Sequence, residues 1–131
     1  MLAVDSVNIT IPLPPVTKKN HGRIVWNGGR PKLLPSEQFE RYQEAAGWHL
    51  RAVGISEPEN VRCLFYMPTR RVVDLVGLLQ AIDDVLVHYG VIQDDNSRIV
   101  ASHDGSRVLY DKANPRTEIE ITGVNDHEKL E

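Results

Sequence analysis

Residues 67–100 read MPTRRVVDLVGLLQAIDDVLVHYGVIQDDNSRIV, and this stretch decides the fold. Leu75, Leu78, Leu79, Ile82, Val85, Leu86 and Tyr89 recur at helical spacing, which predicts a helix over 74–89. Asp74 is suited to its N-cap and Gly90 to the left-handed position just past its end. The stretch also holds five aspartates (Asp74, Asp83, Asp84, Asp94, Asp95) and no Lys or Arg between Arg71 and Arg98. On a regular helix Asp74 and Asp84 lie about 15 Å apart along the axis, so they cannot share one ion. Asp83 points to another side again. The pairing left is Asp74 with Asp94 or Asp95, and it requires the chain after Gly90 to turn back along the helix.

Working outward, residues 61–67 (VRCLFYM) are the strongest strand. Apolar side chains on both faces predict a central position covered on each side. Before it, Ser36 is suited to cap a helix in which Phe39, Tyr42, Ala46, Leu50 and Val53 share one face and Gly54 closes the end. Trp48 falls on the opposite face, under a loop or at a subunit interface. Earlier still, Val7, Ile9 and Ile11 alternate with polar residues as in a half-buried strand, and Asn27-Gly28-Gly29 marks a hairpin turn carrying basic residues. After the long helix, strands are expected over 98–103, 107–110 and 116–122. Asp104-Gly105 should turn the first pair, and Asn114-Pro115 should introduce the last. The order predicts an α+β fold, a mixed sheet with both main helices on one face.

With 131 residues the chain is long enough for one domain without disulfides, expected over 1–124 with a polar, frayed tail at 125–131. The single cysteine, Cys63, lies in an apolar run and reads as a core residue. No apolar run approaches a membrane span, and the N-terminus lacks the basic region of a signal peptide, so a cytoplasmic protein is expected. The net charge of −3 conceals a segregation. From Ser6 to Ser36 there is no acid, while Lys18, Lys19, Arg23, Arg30 and Lys32 give +5. One such surface can hold phosphates and the acidic one cations, unless the two segments neutralise each other in the fold.

Magnesium takes one or two carboxylates and keeps water for substrate phosphate, so Asp74, Asp94 and Asp95 are candidate ligands. Each also has a structural role open to it. Asp74 can simply cap its helix, and Asp94-Asp95-Asn96-Ser97 can simply be a polar turn. Asp84 and His88 share a helix face, solvated or paired with Arg70 or Arg71.

The chain resembles RusA-type Holliday junction resolvases, small phage and prophage endodeoxyribonucleases. The resemblance runs from Ile9 to Ile121. It is carried by Pro14-Pro15-Val16-Thr17-Lys18-Lys19-Asn20, Met67-Pro68 with Arg70-Arg71, Asp74-Leu75, Asp84-Val85-Leu86, Gly90-Val91-Ile92-Gln93-Asp94-Asp95 and Asn114-Pro115-Arg116. It implies a homodimeric hydrolase that cuts four-way DNA junctions by paired, Mg2+-dependent nicks in DNA recombination and repair, with Mn2+ as a possible substitute. It implies Asp74 and Asp95 as catalytic metal ligands, with Asp94 as a further candidate and Asp84 in support. Lys18, Lys19, Arg23, Arg30, Lys32, Arg70 and Arg71 would hold phosphates. Three family positions differ: an acid falls on Val76, an asparagine on Gly77 and a lysine on Gln80. Two alternatives follow. One is a junction-binding protein that has lost cleavage; the other is a small domain whose segregated charges pair internally.

Overall fold

A computed structural model describes residues 6–18, 23–34 and 36–124 of the chain. The expected tail at 125–131, and Lys19 among the expected phosphate contacts, lie outside the described residues. The α+β expectation holds. In chain order the elements are β1 (Ser6–Ile11), β2 (Arg23–Asn27), β3 (Arg30–Leu34), α1 (Glu37–Ala46), a 3₁₀ turn (Gly47–His49), β4 (Glu59–Met67), α2 (Leu75–His88), β5 (Val100–Ser102), β6 (Arg107–Tyr110) and β7 (Arg116–Gly123).

β7 is antiparallel to both β1 and β4, while β5 and β6 run parallel to β4 along its other edge. Register stacks the odd-numbered residues in rows across the sheet: Val7, Ile121 and Val61; Ile9, Ile119 and Cys63; Ile11, Thr117 and Phe65. Alternate side chains of a strand share a face, so these rows form one apolar surface. Phe39, Tyr42 and Ala46 of α1 and Leu78, Ile82, Val85 and Leu86 of α2 join it in a single core. Each fully buried aliphatic or aromatic side chain there contributes about 1.5–3 kcal/mol. Burial pushes the Cys63 thiol above its ordinary range, the expected behaviour of an inert core cysteine.

The expectation that β4 is covered on each side needs correcting. Among the described residues it is the odd-numbered face (Val61, Cys63, Phe65) that joins the two helices in the core. Arg62 pairs with Glu120 at 3.7 Å, and the Arg116 guanidinium lies 3.7 Å over the Tyr66 ring. The Arg116 side chain covers Tyr66, so a side chain of the sheet itself shields part of the even-numbered face.

α2 matches its sequence signals. The Asp74 carboxylate accepts from the Val76 amide at 3.2 Å. At the other end Gly90 has φ +71, its N–H donates to Val87, and the Val91 N–H donates to Leu86, which together make a Schellman cap. α1 starts at the expected cap, with the Phe39 amide donating to Ser36 Oγ at 3.0 Å, but stops earlier than the apolar spacing suggests. The Tyr89 ring lies against Gly47, where a Cβ would sit 2.5 Å from the ring, and its hydroxyl donates to the Gln43 carbonyl at 2.8 Å. The helix tightens there into the 3₁₀ turn, so Val53 is exposed and Trp48 is 88% exposed.

β5 and β6 were expected to form a hairpin and do not pair. They lie end to end along β4. Asn60 holds the connection, its Oδ1 accepting from the Asp104 amide at 2.7 Å and its Nδ2 donating to the Asp104 carbonyl at 3.1 Å. Ser106 Oγ accepts from the Cys63 amide at 2.9 Å, filling the ladder position between the two short strands. The expected β2–β3 hairpin is present as a separate two-stranded ribbon. No described helix is long and apolar enough to cross a membrane.

Candidate acidic site and basic surface

The segment after β1 runs over α2. Thr17 is buried against its first turn: a Cβ on Gly77 would meet Asp74 Oδ2 at 3.2 Å and Thr17 Cγ2 at 3.3 Å. Gly77, where the resemblance expects asparagine, therefore permits a close approach that a larger side chain would open. The Thr17 hydroxyl oxygen is buried and has no hydrogen-bond partner among the described residues. One residue on, Lys18 Nζ donates to Asp84 Oδ2 at 2.7 Å and lies 5.9 Å from the Phe39 ring centre. Asp84 thus takes Lys18, not Arg70 or Arg71, as its partner. To that extent the basic and acidic segments do neutralise each other.

The segment after Gly90 stays with the end of α2 at which the helix finishes. Ile55 accepts from the Gln93 amide and donates to Val91, and the Glu59 amide donates to Ile99. Between these ties, residues 94–98 make a polar turn. Asp94 accepts from the Asp95 amide at 2.8 Å and from Asn96 Nδ2 at 3.0 Å, and these two bonds hold its carboxyl below the usual range. Asp95 is shifted the other way. Partial burial raises it first, then proton sharing with Asp94, then the charges of Asp83 and Asp94. Asp95 therefore comes into the electrostatic range of Asp83. Asp74 caps the start of α2, nine residues from Asp83, or about 13 Å along the axis.

Among the described residues no hydrogen bond or ion pair joins Asp74 to Asp94 or Asp95, and no three Asp, Glu, His or Cys side chains converge as a metal cage. Among the described residues Asp74 Oδ2 accepts no hydrogen bond, and Asp95 is crowded by the like charges of Asp83 and Asp94.

Asp83 has a partner that its local sequence does not announce. His103 Nε2 lies 2.9 Å from Asp83 Oδ2, and Nδ1 lies 2.7 Å from the Val61 carbonyl. Both ring nitrogens face acceptors, an arrangement that favours the doubly protonated, cationic ring. Burial works against that charge, but the Asp83 bond and charge, with Val61, outweigh it and raise the His103 pKa. A raised histidine contributes stability that is complete below its unfolded value, about 6.5, and is lost as pH rises through the folded value. Urea midpoints between roughly pH 6 and 9 should therefore fall for the parent and stay flatter for His103→Gln. Equal slopes would mean the pair does not titrate as described.

Of the basic candidates, Arg30, Lys32, Arg70 and Arg71 are exposed; the Arg70 guanidinium lies 4.0 Å over the Tyr110 ring. Arg23 begins β2, and its side chain lies outside the described residues. Arg116 is taken up by Asp111 at 2.8 Å and Glu118 at 2.7 Å, so it serves the fold. Val76 is 61% exposed in the first turn of α2, and Gln80 is exposed one turn further on. Neither known protein families nor curated proteins give a match to this chain.

Proposed function

We propose that the chain is a metal-dependent, structure-specific endodeoxyribonuclease of the RusA type, acting as a homodimer on four-way DNA junctions. The observation that carries the reading is Asp95. It is a surface carboxyl crowded by Asp94 and Asp83, unfavourable by itself and balanced if a cation binds. Exposed cations at Arg30, Lys32, Arg70 and Arg71 supply the complementary surface for phosphates. Asp95 would hold Mg2+ or Mn2+, with Asp94 fixing the turn that presents it, while Asp74, at the other end of α2, serves as the helix cap. The ion supplies the activation of water and the stabilisation of charge on the leaving oxygen. The basic side chains position the strands, and junction preference arises from DNA shape. Asp84, bound to Lys18, orders the approach to the hairpin and is not a ligand.

A second reading is binding without cleavage. Val76, exposed and apolar where the resemblance expects a carboxylate, favours it. A labelled four-way junction, incubated at low and high salt with EDTA, Mg2+ or Mn2+, separates the two. Salt-sensitive binding with metal-dependent paired nicks is the expected result. Binding without nicks selects the second reading, and Val76→Asp should then restore cutting. Absence of salt-sensitive binding overturns both.

A further inference from the structure

We infer that the β2–β3 hairpin is a stacking surface for unpaired bases of branched DNA, with Trp26 as its centre. The inference rests on the DNA-binding reading above and adds to it the part of the protein that touches bases. Cross-strand partners share a face, so Ile24 and Trp26, the latter paired with Pro31, lie together on one side of the ribbon. Trp26 is 72% exposed and Ile24 66%, and among the described residues the ribbon pairs with no strand of the main sheet. The opposite side carries Lys32 paired with Val25 and Arg30 paired with Asn27.

The tip is tight and bare. Gly28 and Gly29 have φ +59 and +79, as a primed two-residue turn requires, and nothing lies within 4 Å of where either Cβ would be. Such a ribbon is narrow enough to enter a groove or an open branch point.

Charge decides the occupant. The sequence from Ser6 to Ser36 has no acid, so the ribbon's cations have no counter-charge of their own. A second copy docking by the apolar side would leave Arg30 and Lys32, on the other side, without counter-charge. A nucleic acid satisfies both features together, because phosphates neutralise Arg30 and Lys32 while base planes cover the indole. Stacking on an aromatic tolerates any base, which suits recognition by structure and not by sequence.

The test uses the full chain with Trp26→Ala and Trp26→Phe, on a four-way junction and on a linear duplex of the same sequence, with binding read by anisotropy at fixed salt. Trp26→Ala should weaken junction binding about tenfold, and Trp26→Phe should keep most of it. Linear duplex binding should change by less than about twofold, since it depends on phosphate contacts. In a Trp48→Phe background the remaining indole emission should be quenched by the junction. Unchanged junction affinity in Trp26→Ala, with the parent binding well, overturns the stacking role and leaves the DNA reading intact. Elution of Trp26→Ala as a smaller species overturns it in favour of a protein interface. A parent that binds neither DNA removes the DNA reading and this inference with it.

Discussion

Phe65→Ala is expected to cost about 3–5 kcal/mol, as buried phenylalanines do when truncated to alanine. Phe65 is 1% exposed at the middle of the sheet, with Thr117 on one side and Val108 on the other. Its ring occupies the face to which α1 and α2 pack, so deletion leaves a cavity bounded by strands that cannot move independently. Domains of this kind have about 5–15 kcal/mol in total, so a large part of the stability is at stake. With a urea dependence of about 1–3 kcal/mol/M, the midpoint should fall by about 1 M or more. Val108→Ala is the control, one strand away but 36% exposed, and should cost less than about 1 kcal/mol. A Val108→Ala loss equal to or above that of Phe65→Ala would contradict a core centred on Phe65.

The contrast between these residues shows which parts of the fold can be read from sequence. α2 is legible at both ends because its signals are local: Asp74 caps its own helix, and Gly90 takes a conformation other residues resist. The hairpin is legible for the same reason. α1 is not, because Leu50 and Val53 continue its spacing while the reason it stops is the Tyr89 ring on Gly47, forty-two residues away. Nor are β5 and β6. Asp104-Gly105 reads as a hairpin turn, yet Asn60 binds Asp104 and sends the second strand onward along β4. Pairing across that distance is decided by tertiary contacts that no window of sequence contains.

The acidic site divides along the same line. Five aspartates in one stretch mark where to look, and helix geometry separates Asp74 from Asp84 correctly. What geometry on paper does not provide is the partner of each. Asp84 goes to Lys18, and Asp83 goes to His103. The His103 pairing depends on the position of β5 against β4, where the local sequence signals a hairpin instead. Once it is known, Asp83 emerges as the neighbour of Asp95, a role that helical spacing alone had given to Asp74.

On the function proposed above, Asp95→Asn should raise stability and abolish cleavage in the same protein. In the folded state the Asp95 carboxyl is raised, so the native chain binds its proton more readily than the unfolded chain does. The sign follows: stability from this group is complete below the unfolded value, about 3.9, and falls as pH rises through the raised folded value. At neutral pH in EDTA the ionised carboxylate is therefore a liability, and the neutral asparagine should increase the urea midpoint. That gain should shrink as pH falls toward 4. Asp94→Asn should do the opposite, because Asp94 is held low by the Asp95 amide and Asn96 and contributes stability above its unfolded value. With metal the order of the variants changes. Mg2+ at 100 times its dissociation constant should stabilise the parent by about 2.7 kcal/mol and Asp95→Asn far less. Junction cleavage by Asp95→Asn should drop by about a hundredfold or more, the scale of losing metal-based charge stabilisation. A carboxylate retained for packing would show the reverse, with stability lost and cutting preserved. If Asp95→Asn is less stable than the parent in EDTA, cuts as well and responds equally to Mg2+, the cation site is not at Asp95.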